Sequence, residues 1–388
     1  MNQHARPDTT PTMQPIPFID VAGQRRKLGQ KIDDAVAKVL DHCQFILGPE
    51  VRELEAQLSA FAGVKHTISC ASGTDALMLV LLAKGIGPGD AVFCPSFTFA
   101  ATGETVALVG ASPVFVDVEE DTFNMDVASL EKAIGTAKKL GLQPKAIVPV
   151  DLFGLPADHD SVAEIAEEHG LFVLDDAAQG FGGVYKDRKI GSIGLAAATS
   201  FFPAKPLGCY GDGGAVFTND DQLAELMRGL RVHGQIPGRP EFSHIGITGR
   251  LDTIQAAILI EKLKIFPAEI EARNKVAARY NEKLGQYAIV PRVPEGYTSI
   301  WAQYTIRLQP GRRDGLAAAL KAEGIPTAIY YAKPPHQHEA YKKFPVAEGG
   351  LPVTEKLSHE VISLPMHAYL DEPTQDRIVD AVKRHLTA

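Results

Sequence analysis

The sequence is sparing with cysteine, has a single tryptophan and carries no long apolar run, and each scarcity closes off a class of protein. Its four cysteines, Cys43, Cys70, Cys94 and Cys209, stand far apart and form no CxxC pair, so neither a zinc site nor a disulfide framework is signalled. That usage fits a reducing cytoplasm best. The most apolar stretch, Leu77 to Ala83, is far too short to cross a hydrocarbon core of ~30 Å, and no membrane partner is expected. Charge of neither sign gathers into a long block: Lys+Arg 39 against Asp+Glu 47 leaves a net −8, which argues against a nucleic-acid partner. The opening residues are polar, with Pro7 and Pro11, and lack the apolar core of a signal peptide. Residues 1–15 read as a flexible tail.

What is present is globular. At 388 residues, with 45% hydrophobic and 22% charged side chains, the chain is too long for one ordinary core and too apolar for disorder. Short β-rich runs at 66–70, 91–94, 113–118, 145–150, 171–175, 197–202 and 214–218 alternate with helical patterns at 74–83, 126–140 and 158–169. Val127, Leu130 and Ile134, for instance, recur at the spacing of a helix that buries one side. That alternation predicts an α/β domain with a mostly parallel sheet covered on both faces.

Upstream, Leu28, Ile32, Val36 and Val39 predict one helix, and Pro49 opens another that Gly63 stops. Downstream, 251–266 reads as a helix and Pro267 as the start of the next. After it come a strand at 301–308, a helix at 313–323, a strand at 326–331 and a last helix at 371–385. The expected division is a large domain over 16–266 and a smaller α+β domain over 267–388.

Lys205 lies in Ser200-Phe-Phe-Pro-Ala-Lys205-Pro-Leu-Gly208, directly after an apolar strand, where its amine would be partly desolvated. Desolvation lowers a lysine pKa and makes the amine nucleophilic toward an aldehyde. Taken alone, a lysine is far more often a solvated loop residue. Its companions change the balance. Asp175-Asp176 ends the strand 171–175, and ligands in open parallel sheets sit at such carboxyl ends. A carboxylate there suits the pyridine nitrogen of pyridoxal phosphate, an electron sink that needs an acidic partner; a metal-binding or helix-capping aspartate pair is the other reading. Gln179 could reach the ring hydroxyl from the same loop.

Ala71-Ser72-Gly73-Thr74-Asp75-Ala76 joins a strand to a helix, and helix N-termini accept phosphate. An N-capped helix without a ligand is equally compatible with that run. Ser200 could add a hydroxyl, and Phe99 could stack on a flat ring or simply belong to the core. Gly211-Asp-Gly-Gly214 suits a tight turn. Gly85-Ile-Gly87-Pro-Gly89 follows a helix and precedes a strand, the wrong order for a dinucleotide loop. His233 and the pair His336/His338 lack metal partners at ligand spacing, so no metal is expected.

Taken in order, Ala71–Leu77, Pro95-Ser-Phe-Thr-Phe-Ala100, Asp175-Asp-Ala-Ala-Gln179 and Ser200–Lys205 resemble the DegT/StrS family of sugar aminotransferases. The resemblance runs from Pro17-Phe-Ile-Asp20 through Gln44–Glu50 to Ser363-Leu-Pro-Met-His367. Within that family, Pro206–Ala215 looks closest to enzymes that aminate UDP-2-acetamido-2-deoxy-3-oxo-glucuronate for O-antigen sugars. It implies a fold-type-I, aspartate aminotransferase-like transferase in which pyridoxal phosphate is held as a Schiff base on Lys205. Asp176 would pair with the pyridine nitrogen, Gln179 would touch the ring oxygen and Phe99 the ring face, with Gly73, Thr74 and Ser200 at the phosphate.

The resemblance also implies a homodimer whose sites borrow the segment Gly246-Ile-Thr-Gly-Arg250 from the partner. Thr248 stands where an asparagine usually reaches the partner's phosphate. Arg250 could grip a uronate carboxylate. Tyr330-Tyr331 replaces a His-Tyr pair near the substrate. L-Glutamate would be the amino donor, leaving 2-oxoglutarate, and a nucleotide-linked keto-sugar the acceptor. The alternatives are a 4-keto or other 3-keto acceptor, another fold-type-I activity such as sugar dehydration, or a non-catalytic PLP- or sugar-binding protein. A dehydratase relative would be expected to carry histidine in place of Lys205.

Overall fold

A computed structural model describes residues 15–235 and 241–387. Residues 1–14 of the expected tail lie outside the described residues. The chain opens with α1 (Val21–Leu28), α2 (Gln30–His42) and α3 (Pro49–Ala62). The single helix expected across Leu28 and Val39 is therefore two. Gly29 adopts φ 56° between them, a backbone conformation that breaks the helix at low cost only for glycine. Nine strands and five further helices follow: β1 (His66–Cys70), α4 (Gly73–Ala83), β2 (Asp90–Pro95), α5 (Ala101–Leu108), β3 (Ser112–Val116), α6 (Val127–Lys139), β4 (Gln143–Ile147), α7 (His159–His169), β5 (Phe172–Asp176), the hairpin β6 (Val184–Tyr185) and β7 (Arg188–Lys189), β8 (Ala196–Ser200), β9 (Gly214–Thr218) and α8 (Asp221–Leu230).

Seven of these strands make one sheet in the order β1-β9-β8-β5-β4-β2-β3. Only β9 runs against its neighbours. Successive side chains of a strand face opposite sides, so a sheet covered twice needs apolar residues at every position. Val216 accordingly joins the core beneath α4, α6 and α8, while Ala215 and Phe217 join the core beneath α3 and the long helix α9 (Thr253–Leu284). Because β9 is antiparallel to both β1 and β8, the carboxyl ends of β1, β5 and β8 point the same way. The register sets Cys70 opposite Gly214, Gly214 opposite Ser200, and Asp176 opposite Ala198.

The helix expected to begin at Pro267 is the second half of α9, which passes through that proline without ending. Proline costs an interior helix a hydrogen bond and a clash, ~3 kcal/mol or more. Packing on both sides offsets it: Leu259, Leu263 and Phe266 are buried against α3 and the sheet, and Val276, Tyr280 and Leu284 in the core of the C-terminal segment. These two cores carry our proposal of a large domain over 16–266 and a smaller one over 267–388, with α9 running through both. The C-terminal segment contains β10 (Tyr297–Thr298), β11 (Tyr304–Arg307), α10 (Arg313–Ala322), α11 (Pro352–Glu360), β12 (Val361–Leu364) and α12 (Glu372–Thr387), and β11 pairs with β12. The strand expected over 326–331 reduces to one bridge, Ala328 with Ser363. Pro326 has no N–H to donate to a ladder, and by Tyr330 the chain has turned back toward the sheet.

Candidate active site

The turn after β8 carries Lys205. Phe201 N–H donates to Gly213 O at 2.7 Å, Lys205 N–H to Phe202 O at 2.8 Å and Cys209 N–H to Phe201 O at 2.8 Å, closing the loop on itself. A fully buried lysine clamps it from below: Lys262 Nζ donates to Gly208 O at 2.5 Å and lies 4.0 Å from the centre of the Tyr210 ring. The Lys205 side chain is half-buried, and its amine makes no hydrogen bond or ion pair with any described residue. Desolvation brings its pKa down to about 8, with the Asp176 carboxylate pulling the other way.

Asp176 stands at the end of β5 with 5% of its surface exposed. Thr102 Oγ1 donates to its Oδ2 at 2.8 Å and Ala178 N–H to its Oδ1 at 3.2 Å. Burial raises its pKa and these two donors oppose the rise. Three residues on, Gln179 has its amide orientation fixed: Phe153 N–H donates to Oε1 at 3.0 Å, so Nε2 is left to reach Tyr331 Oη at 3.3 Å. Tyr331 thereby belongs to the same layer, and Tyr330 packs beside Phe18 with ring centres 6.4 Å apart.

The turn from β1 into α4 meets the end of β8 at very close range. Ser72 caps α4, its Oγ accepting from Asp75 N–H at 3.0 Å. A Cβ on Gly73 would lie 2.6 Å from Ser200 Cβ, and one on Gly214 would lie 2.3 Å from Ser72 O. Only glycine fits at either place, so Gly214 serves this approach as well as the turn it was expected to form. The Thr74 hydroxyl bonds no described residue, while Ser200 Oγ accepts from Phe202 N–H at 3.3 Å. Phe99 is 61% exposed, in contrast to Phe97 at 0%. Its carbonyl accepts from Thr102 N–H at 3.4 Å, which places it one turn from the residue that holds Asp176.

Two water-sized cavities flank Lys205. One, of about 10 Å³, is lined by Gln179, Thr199 and Ser200. The other, about 20 Å³, is lined by Asp20, Gln24, Glu269, Arg273, His367 and Tyr369. His367 is buried with neither ring nitrogen bonded, and desolvation holds its pKa down at about 4, so its ring is neutral. The segments Pro17–Asp20 and Ser363–His367 thus meet at this wall, with Met366 N–H donating to Phe18 O at 3.2 Å.

The segment 246–250 lies apart from that pair of cavities. Val232 and Thr248 form a bridge, and Thr248 Oγ1 sits 2.6 Å from His233 Nε2. Arg250 is half-buried and makes no hydrogen bond or ion pair with any described residue, its Nε included. His336 bonds Ser96 and Glu355, and His338 bonds the Lys333 carbonyl. Thr102, Phe153 and Lys262 carry no signal in the sequence, because each reaches the site through contacts distant along the chain.

The arrangement therefore offers an unpaired, partly neutral amine, a buried carboxylate held by two donors, an oriented amide and a glycine-floored helix N-terminus, all at the carboxyl ends of β1, β5 and β8. Residues 26–383 match the DegT/DnrJ/EryC1/StrS aminotransferase family. The chain is 48% identical over 357 residues to UDP-2-acetamido-2-deoxy-3-oxo-D-glucuronate aminotransferase of Pseudomonas aeruginosa, covering 92% of this chain and 96% of that protein. It is 42% identical over 374 residues to a UDP-N-acetyl-3-dehydro-alpha-D-glucosamine 3-aminotransferase of Acidithiobacillus ferrooxidans, covering 96% and 98%. The crystal structure of a DegT DnrJ EryC1 StrS aminotransferase from Brucella abortus superposes with a TM-score of 0.94 at 53% identity, covering 96% of this chain and all of that one.

Proposed function

Because the chain belongs to the DegT/DnrJ/EryC1/StrS family and is a PLP-dependent sugar aminotransferase, we propose that it moves the amino group of L-glutamate to UDP-2-acetamido-2-deoxy-3-oxo-glucuronate, with Lys205 and Asp176 as its catalytic residues. The observation that carries the residue assignment is the unpaired amine of Lys205 placed within the field of buried Asp176. Pyridoxal phosphate fits the donor set. Asp176 would hold the ring nitrogen, Gln179 the ring oxygen and Phe99 a ring face, while Gly73, Thr74 and Ser200 would receive the phosphate at the start of α4. Bound there, the cofactor supplies a ring that takes up the electron pair released at an amino acid's α-carbon.

The protein's own part is to bind, orient and move protons. Lys205 Nζ would tether the cofactor, and the same amine is placed to take a proton from the substrate carbon and hand it on. Its lowered pKa suits both tasks, since about half of the amine is neutral near pH 8. Asp176 would face the ring nitrogen, and the Thr102 hydroxyl and Ala178 N–H hold its two oxygens in place. The two half-reactions share one site, which gives ping-pong kinetics.

Cofactor uptake by the cofactor-free protein is expected to follow the neutral fraction of Lys205. The rate should fall about tenfold per pH unit below a midpoint of about 8 and level off above it. Asp176→Asn removes the charge that raises this pKa, so the midpoint should move lower. A rate that still climbs toward the ordinary lysine value of 10.5 would show an amine in water rather than a buried one. Thr102→Val leaves Asp176 Oδ2 without its donor. Hydrogen bonds to charged groups contribute ~1.5–3 kcal/mol, so PLP affinity should fall by about tenfold or more; unchanged affinity in a titration of cofactor-free protein would remove Thr102 from the site.

The acceptor reading rests on Arg250. An unpaired guanidinium, its Nε buried without a partner, suits a carboxylate, and a bidentate pair contributes roughly 1.5–3 kcal/mol. We place it, with Thr248, in the site of a partner subunit of a homodimer, and place Tyr330 and Tyr331 against the sugar. Exposed Phe99, Phe202, Phe242 and Ile245 on the surrounding segments support burial against a second copy. The setting would be cytoplasmic synthesis of surface-polysaccharide sugars such as those of O-antigens. Arg250→Leu should lower kcat/KM on the uronate about ten- to a hundredfold and spare its 6-hydroxymethyl counterpart. Equal losses on both would make Arg250 structural.

A further inference from the structure

On the face of β5 opposite Asp176 lies a sealed polar cluster that none of this chemistry uses. Asp175, Asp151 and His159 are all buried. Asp151 Oδ1 accepts from Ala157 N–H at 2.8 Å and lies 2.9 Å from His159 Nε2. Asp175 Oδ1 is 4.0 Å from the same nitrogen. One side-chain atom from each of the three residues lies within 4.8 Å of the others. Three carboxylate oxygens, Asp151 Oδ2 and both of Asp175, meet no donor, and His159 Nδ1 has no partner either.

Two ionised carboxylates buried so close to one another are costly unless something neutralises one of them. Three agents are available: a charged imidazole, a metal ion or a proton. His159 is the first residue of α7, where the helix N-terminus disfavours positive charge. A second ring proton on Nδ1 would also be a buried donor with no acceptor. The same bare Nδ1 argues against a metal, because a ligating histidine normally donates its other N–H to an acceptor. A proton between the two carboxyls resolves the cluster, turning one orphaned oxygen into a donor and another into its acceptor.

We infer that Asp151 and Asp175 share one proton beside a neutral His159, and that this acid pair is a positioning layer for Asp176, fixing its main chain and placing one negative charge behind it. The main-chain link is direct. Asp151 N–H donates to Asp176 O at 3.2 Å, Asp176 N–H donates to Pro149 O at 2.9 Å, and Val150 bridges Asp176. Burial, with the charges of Asp151 and Asp176 next, pushes the Asp175 carboxyl well above the usual carboxylate range. The remaining groups facing the cluster are engaged elsewhere: Asp158 accepts from Tyr185 Oη at 2.8 Å, and the Tyr185 ring meets His159 edge-on. The effect on catalysis rests on the proposed pairing of Asp176 with the cofactor's ring nitrogen.

The test uses the holoenzyme. Infrared spectroscopy near neutral pH should show a protonated-carboxyl C=O stretch that Asp175→Asn removes. Because an asparagine amide donates as the acid does, that variant should leave in place the pH at which the bound cofactor's absorbance titrates. Asp151→Asn likewise leaves one carboxylate facing an amide donor and should remove the same band without moving that pH; only the double Asp151→Asn/Asp175→Asn variant removes the charge, and it should lower that pH by about one unit, a tenfold loss of proton affinity. Absence of the acid band in the unsubstituted enzyme, which needs no variant to fold, or a stoichiometric divalent metal by elemental analysis, would overturn the shared proton. A titration of the double Asp151→Asn/Asp175→Asn variant identical to the parent's would overturn the link to Asp176. Should Asp176→Asn itself leave the cofactor titration unmoved, it is the assignment of Asp176 that fails.

Discussion

Lys205→Ala is expected to abolish turnover, lowering it by on the order of 10⁴-fold or more, and to yield colourless protein where the parent is yellow. Two proposed roles disappear together, the covalent tether and the group that carries the proton between carbons, and proton transfer alone commonly contributes 10²–10⁴-fold. Lys262, the buried amine beneath this loop, is not free to replace it, being committed to the Gly208 carbonyl and the Tyr210 ring. The variant should still fold, because the loop around residue 205 is closed by main-chain bonds and not by the amine. Steady-state transamination and an absorbance spectrum on the purified variant decide it. An alanine variant with full activity would end the assignment.

Asp176→Asn is expected to cost on the order of 10²–10⁴-fold in turnover, the range of a positioned proton-handling group. The asparagine keeps the shape and can still meet Thr102, so folding is spared, but it cannot hold a positive ring nitrogen opposite it. The electron sink then weakens at the step that frees the substrate's α-proton. A kinetic isotope effect with α-deuterated glutamate should therefore grow in the variant, because proton abstraction becomes slower relative to binding and release. An unchanged rate with an unchanged isotope effect would mean that Asp176 does not face the ring.

How far the sequence led differs from segment to segment for identifiable reasons. Strand β9 is legible because both faces are covered and its run, Ala215-Val-Phe217, is short, apolar and opened by Gly214. The long helix α9 is misread at Pro267 because local rules count only the lost hydrogen bond, while the packing of Phe266 on one side and Val276 on the other lies outside any local window. Nothing in the period of Ala101–Leu108 announces α5. Ala101, Thr102, Gly103, Thr105 and Val106 are all buried, so no polar face marks the turns. Thr102 rides on that helix, and its bond to Asp176 is invisible for the same reason.

The site shows the same division. Lys205, Asp176 and the Gly73 turn follow from strand ends and glycine, which are local features. The Asp151–His159–Asp175 cluster depends on the parallel neighbouring of two strand ends, and the Lys262 clamp on α9 crossing under the loop; neither spacing carries any signature along the chain. Tyr331 was legible by family resemblance, yet its partner Gln179 and the Phe153 N–H that orients that amide appear only in three dimensions.

The central claim is that this chain aminates a UDP-linked 3-keto uronate through Lys205. The most direct test is a single half-reaction: protein charged with L-glutamate, freed of excess donor and mixed with UDP-2-acetamido-2-deoxy-3-oxo-glucuronate, with the products resolved by mass and by the return of the yellow colour. The account predicts one equivalent of the 3-amino sugar per site, faster than with a 4-keto sugar or with the 6-hydroxymethyl analogue, and none with Lys205→Ala. Amination of a 4-keto sugar in preference, or turnover that survives loss of Lys205, would contradict it.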